Sequence, residues 1–254
     1  MSPRICKTTG LALVPGPVSG FRIATATYGA LNPEKRHDGE PRDDWSRWDT
    51  PGRTIYIADT LETAFRECLA WARMKPSHKK KLGKLAALWG ITPEEVMKEI
   101  HDDFARLGHM QPGHLPFSWR DSRLKHVIDV PESAGAWVDM EEQATLDVLS
   151  LGPAADIMPF TGHEEIDRAA AFSNDRNVTT RIAEWLRDVT LDDGRELAGI
   201  KFKSRVGNGT CWAYWMRRTD LGLTEVATAT AGVEISSKEP AMAAVTEAWE
   251  IRTW

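Results

Sequence analysis

Apolar and polar positions alternate along "FRIATATYG". Phe21, Ile23, Thr25 and Thr27 share one face, and Arg22, Ala24, Ala26 and Tyr28 share the other, which is the period of a strand. Residues 1–20 precede it, end in the Pro/Gly-rich "VPGPVSG" and read as an irregular leader. Residues 29–53 are dense in proline, glycine and charge and read as a long loop, a kind of segment that often carries function. "RTIYIA" is a second strand, with Ile55 and Ile57 on one side and Thr54, Tyr56 and Ala58 on the other. The period then becomes helical. Leu61, Ala64, Phe65, Cys68, Leu69 and Ala72 form one stripe, Glu67 falls on its flank, and Asp59 with Glu62 reads as a capping box.

Two helices are expected over 77–110, joined at Gly90, with Thr92 capping the second and Pro93 at its first position. Residues 111–135 read as loop, since Pro112, Gly113, Pro116 and Pro131 interrupt them. "AWVDM" and "ATLDVLSL" fit short strands or a helix start equally well. "NVTTRIAEWLRDV" is amphipathic, with Val178, Ile182, Trp185, Leu186 and Val189 inward. "ELAGIKFKSR" and "TCWAYWMRR" form a hairpin around Gly207–Gly209, with Ile200, Phe202 and Ser204 on one face of the first strand. "EVATATAGVEI" is a further strand, and "EPAMAAVTEAWEI" a closing helix with Pro240 at its start. The class is α+β, with strands towards both ends of the chain and helices between them.

Composition narrows the functions. The chain has 254 residues, enough for one large domain or two small ones, and its 42% apolar and 27% charged content is ordinary for a globular protein. The net charge of −5 counts against bulk nucleic-acid binding. No run of about 18 apolar residues is present, so no membrane span is expected. The start lacks a signal-peptide pattern, and three widely spaced cysteines predict reduced thiols and a cytoplasmic protein. Motifs for phosphate loops, dinucleotide folds, serine hydrolases and zinc proteases are absent. His109 and His114 are close but have no matching carboxylate or cysteine pair, so no metal site is expected.

The hairpin at 79–107 has the outline of a helix-turn-helix, with a basic edge at Lys75, Lys79, Lys80, Lys81 and Lys84. A solvated helical hairpin explains the same pattern, and the acidic balance favours it. The stretch "DDWSRWDTPGRTIYIADTLETAFRECLAW" is more pointed. Arg47 lies between Trp45 and Trp48, and it is either a surface arginine stacked on tryptophan or a guanidinium set for an anionic, planar ligand. Tyr56 fits core packing. Arg22 is an arginine inside a strand, so it needs an anionic partner, either Glu67 or a ligand phosphate; spacing does not choose.

Taken together, "FRIATATYG", "SRWDTPGRTIYIADTLETAFRE" and "TRIAEWL…GIKFKSR……CWAYW" resemble the RES domain family, whose core is similar to ADP-ribosyltransferases and which includes toxins that destroy NAD+. The matching positions are Arg22, Arg47–Trp48, Tyr56, Glu67 and Ser204. The sequence reads "SRWD" where the family more often has Gly-Arg-Trp-Asn. The resemblance implies an ADP-ribosyltransferase-like mixed β-sheet core in a single domain, with a leader at 1–20, a helical insertion at 77–135 and a C-terminal strand and helix over 222–254. It implies cleavage of NAD+ at the nicotinamide–ribose bond by hydrolysis or phosphorolysis, with NAD+ as substrate rather than cofactor. Glu67, Tyr56 and Arg22 would be catalytic; Arg22, Tyr28, Arg47, Trp48, Tyr56 and Ser204 would bind the nucleotide. It further implies a toxin with a separate antitoxin chain of Xre type, and no direct contact with membrane or nucleic acid. Two alternatives stand beside it: mono-ADP-ribosylation of a protein target, and a non-catalytic DNA- or protein-binding module that uses the 79–107 hairpin.

Overall fold

The computed structural model describes residues 3–107, 113–161, 163 and 165–253, apart from the side chains of 104–107. Ten strands form one mixed sheet: β1 (Arg4–Ile5), β2 (Ala12–Val14), β3 (Val18–Thr25), β4 (Thr54–Ala58), β5 (Arg123–Val130), β6 (Ala136–Asp139), β7 (Leu197–Lys203), β8 (Thr210–Trp215), β9 (Thr228–Ala229) and β10 (Val233–Glu234). Their order is β1-β2-β6-β7-β8-β4-β3-β5-β9, with β10 also on β5. Neighbours run antiparallel except β6 and β7, which are parallel. Six longer helices accompany the sheet: α1 (Leu61–Leu69), α2 (Pro76–Trp89), α3 (Pro93–Leu107), α4 (Gln143–Leu151), α5 (Arg176–Asp188) and α6 (Pro240–Ala248). One face carries Trp48, Phe65, Ile200, Phe202 and Trp215 in its core, together with inward residues of α1 and α5 such as Leu69 and Ile182. The other carries Ile55, Ile57, Ile128, Trp137 and Tyr214.

The middle of the sheet is uneven. β3 pairs with β5 over its whole length, from Val18–Val130 to Thr25–Arg123, and β4 pairs with β8 from Thr54–Trp215 to Ala58–Cys211. β3 and β4 meet at one registered pair, Phe21–Ala58. Beyond it Arg22–Thr25 and Thr54–Ile57 part company, and the sheet splits. Gly20 makes the contact close: a Cβ there would lie 2.4 Å from the Ala58 carbonyl oxygen and 2.8 Å from Ile57 Cγ2.

Several elements depart from the sequence reading. Residues 123–130, expected as loop and as part of an insertion, are the full-length partner of β3. Their alternation of Leu124, His126, Ile128 and Val130 with Arg123, Lys125, Val127 and Asp129 is a strand signal overshadowed by the prolines on either side. The leader is not irregular throughout; β1 and β2 join the sheet edge, and the strand expected from Phe21 begins at Val18 and ends at Thr25. Helix α1 is capped by Thr60, whose side chain accepts from Thr63 N–H, rather than by Asp59. Asp59 instead accepts the Thr210 N–H at 2.7 Å, and Glu62 pairs with Arg66 one turn on. Of the undecided pieces, "AWVD" is a strand and "QATLDVLSL" a helix. The hairpin α2–α3 forms as expected, with Gly90 left-handed at the turn and Thr92 and Glu95 bonding reciprocally. Among the described residues no helix is long and apolar enough to cross a membrane.

Because Gly20 lies beside Phe21–Ala58, the registered pair that joins β3 to β4, Gly20→Ala is expected to destabilise the protein by about 1–3 kcal/mol through overpacking against the Ala58 backbone. A lowered urea midpoint with unchanged slope checks this; an unshifted midpoint would mean that the junction relaxes freely.

Candidate active site

Where β3 and β4 part, the protein holds a cavity of about 900 Å³, within the range of small-molecule sites. The strands supply Arg22 and Tyr56, α1 supplies Glu67 and Cys68, the 45–47 turn supplies Arg47, and the start of α5 supplies Arg176.

The loop between β3 and β4 is long, yet it is fastened at each stage. Arg36 and Gly52 exchange backbone hydrogen bonds at 2.8 Å and close its base. Gly52 has φ +109°, and a Cβ there would fall 2.1 Å from Asp220 Oδ2, so the position needs glycine. Asp220 in turn receives Arg187 at 2.8 Å and both the backbone N–H and the guanidinium of Arg53. Arg42 stacks on Trp45 and pairs with Glu184 on α5 at 2.7 Å.

The fastening nearest the cavity is a hydrogen-bond network centred on Tyr56 and Asp49. The Tyr56 hydroxyl donates to Asp49 Oδ1 at 2.9 Å and accepts the Trp48 N–H at 2.9 Å. Asp49 Oδ2 accepts the Ser46 N–H at 2.8 Å and Arg36 Nε at 3.3 Å. Burial pushes the Asp49 carboxyl above its usual range, and burial with the adjacent Asp49 pushes the Tyr56 phenol well above its own. Tyr56 therefore stays a neutral phenol whose oxygen is fully engaged.

This geometry sets the arginines. Arg22 reaches across the split and donates Nη1 to the Tyr56 carbonyl at 3.4 Å, while its Nε is enclosed without a partner. Glu67 is not that partner; it stands exposed on α1 at the cavity rim. Arg47 Nε and Arg176 Nη1 are likewise enclosed and unpartnered. Burial, then repulsion from Arg205, lowers Arg47 to about 10, so it remains cationic at neutral pH. Burial also lowers Arg22.

Of the residues expected at the site, Arg22, Arg47, Tyr56 and Glu67 line this cavity. Tyr28 does not: β3 stops at Thr25, and Tyr28 lies in the following turn, 59% exposed. Trp48 does not: it is fully buried, tilted against Phe202 at 5.9 Å, and its carbonyl accepts from Trp215 Nε1. It anchors the turn that carries Arg47. Ser204 does not: it is buried, and its Oγ accepts the Val206 N–H at 3.2 Å, which shapes the β7–β8 turn. Asp49, Arg176 and Arg205 were missed by sequence reasoning. A signal for Arg176 was available, because a basic residue in the first turn of a helix opposes the helix dipole and calls for a reason.

His109 lies outside the described residues. His114 is buried and stacks on His101, and among the described residues no group of three or more His, Cys, Asp or Glu could hold a metal ion.

No protein-family model matches the chain, and no curated protein matches it. A solved structure that is similar is the M. tuberculosis MbcT–MbcA toxin–antitoxin complex, with 14% sequence identity over 94% of this chain and 92% of that chain, at a TM-score of 0.39. A likeness at this score decides neither fold family nor activity.

Two outcomes are expected from the site's chemistry. Tyr56→Phe removes a donor from buried Asp49 and an acceptor from Trp48 N–H, and so should cost about 1–3 kcal/mol in denaturant unfolding. Cys68 lines the cavity, and burial pushes its thiol up to about 11. Its native-state alkylation should therefore stay slow at pH 8 and rise only towards pH 11, because the thiolate is the reactive form; peptide mapping that finds Cys68 labelled quickly at pH 8 would contradict this burial.

Proposed function

We infer that the cavity binds NAD+ and breaks its nicotinamide–ribose bond. The observation that carries this reading is the set of enclosed, unpartnered guanidinium nitrogens, Arg22 Nε, Arg47 Nε and Arg176 Nη1, gathered on one cavity with the Glu67 carboxylate at its rim. An enclosed guanidinium without an anion is costly, and a diphosphate supplies acceptors for Arg22 and Arg47 in the forked geometry that arginine prefers.

The chemistry follows from these placements. When the C1′–N bond breaks, its electron pair moves to the pyridinium nitrogen and neutralises it. The ribose carbon takes on oxocarbenium character. Glu67 provides a fixed negative charge for that developing cation. Water, phosphate or a protein side chain then bonds to C1′ and gives up its proton. Arg22 and Arg47 hold the diphosphate. Tyr56 acts through position: its hydroxyl holds the Arg47 turn, and its ring stands edge-on to Phe202 at 6.4 Å. The resemblance to RES domains supports the further reading that NAD+ loss is toxic to the cell and is restrained by a separate antitoxin of Xre type.

The hairpin gives the nucleic-acid alternative little support. Lys80, Lys81 and Lys84 are exposed on α2, but Glu94, Glu95 and Glu99 are exposed on α3, and Lys79 pairs with Glu250. The surface is mixed in sign, whereas nucleic-acid binding draws on a continuous basic footprint.

Purified protein should consume NAD+ over time and release nicotinamide, and Glu67→Gln should slow this by about 100-fold or more. Dependence on added phosphate separates phosphorolysis from hydrolysis. Undiminished NAD+ loss in Glu67→Gln would remove Glu67 from the chemistry.

A further inference from the structure

Around the cavity four arginines have carboxylate partners. Arg36 meets Asp49, Arg42 meets Glu184, and Arg53 and Arg187 share Asp220. Within the cavity the pattern reverses. Arg22, Arg47, Lys75, Arg176 and Arg205 line it, against Asp44 and Glu67, so five cations face two anions and a surplus of three positive charges remains. The partner of Arg205 is the neutral Asn174. Arg47 is repelled by both Arg205 and Arg176, which places the three guanidinium groups within one field.

A plain dinucleotide does not use this surplus. Its diphosphate carries one negative charge on each phosphorus, and the pyridinium of the proposed substrate offsets one of them. Arg22 and Arg47 already answer the diphosphate. Arg176 and Arg205 are then still without an anion, and so is Lys75 in the turn between α1 and α2. A phosphomonoester adds about −1.5 to −2 charges at neutral pH and three strong acceptor oxygens. It is the smallest addition that meets the remaining charge.

We propose that the cavity prefers a dinucleotide carrying an extra phosphomonoester on its adenosine ribose, the NADP+ class, and that Arg176 and Arg205 receive that phosphate. This rests on the NAD+-site reading and narrows it. Lys75 adds to the attractive field without a fixed contact. The same two arginines would suit a free phosphate ion, so the test includes both sources.

The full-length protein is titrated calorimetrically with ADP-ribose, with ADP-ribose 2′-phosphate and with inorganic phosphate, while consumption of NAD+ and NADP+ is followed in parallel. The 2′-phosphorylated compound should bind at least about ten-fold more tightly than ADP-ribose, a difference of ~1.4 kcal/mol. That ratio should fall towards one in Arg205→Gln, an exposed position where folding is not at risk, and in Arg176→Gln, with thermal melts confirming that both variants fold. Equal affinities for the two compounds in the wild type would overturn the proposal. So would inorganic phosphate binding as tightly as the 2′-phosphorylated compound, since the cluster would then hold a free anion. If NAD+ is consumed but the 2′-phosphate brings no preference, this inference fails and the cleavage reading stands. If the binding preference holds but neither dinucleotide is consumed, the inference stands and the cleavage reading fails.

Discussion

The hydroxyl of Tyr56 is the point on which the site depends. It donates to a buried carboxylate and accepts a backbone N–H from the neighbouring residue, so one strand side chain fixes two successive residues of a long loop. Without that link the 45–49 turn would rest on the burial of its two tryptophans, the Trp215 contact to the Trp48 carbonyl, and the Arg36 and Ser46 contacts to Asp49. With it, Arg47 is held on the cavity that Arg22 also lines. The cost is a carboxylate kept in a dry place, visible in the upward shift of Asp49 and offset by its three donors.

The split itself is a matter of pairing. β3 spends its hydrogen bonds on β5, β4 spends its own on β8, and one pair joins the two halves. Such a junction leaves a wedge of space between strands without breaking the sheet, and it exposes a strand carbonyl, Tyr56 O, that Arg22 reaches. An arginine in mid-strand is out of place in a continuous sheet. At a split it is the group that can cross the gap, satisfy one edge and still turn a donor to the cavity.

These features explain how far the sequence could be read. Periodicity located β3, β4, α1, the α2–α3 hairpin, α5 and the β7–β8 hairpin; α1 and α5 bury one stripe and show a clean repeat, whereas β4 and β7 are buried on both faces. It missed β5, whose alternation lies between prolines, and it gave Asp59 a cap role that the fold assigns to Thr60. At the site, Arg22 and Glu67 were legible from position within their elements, one inside a strand and the other off a helical stripe. Tyr28 and Ser204, expected from the resemblance, do not line the cavity: β3 ends before the first and β7 just before the second, leaving one exposed and the other bonded within a turn. Asp49 and Arg205 lie in irregular segments that periodicity cannot address.

The charge distribution is harder to read than the fold, and it is the more informative. The whole chain is acidic, yet the cavity is strongly basic, so net charge conceals the site. What separates the two is pairing. Arginines that clamp the loop each close on a carboxylate, and their charge is spent within the protein. Arginines on the cavity wall close on a carbonyl, on a neutral amide, or on nothing, and their charge remains available. A protein that can place Asp220 between two arginines has the means to neutralise the others. Asp44 and Glu67, which line the same cavity, moderate the field of those left unpaired. An anion that entered would gain from every unpaired group at once.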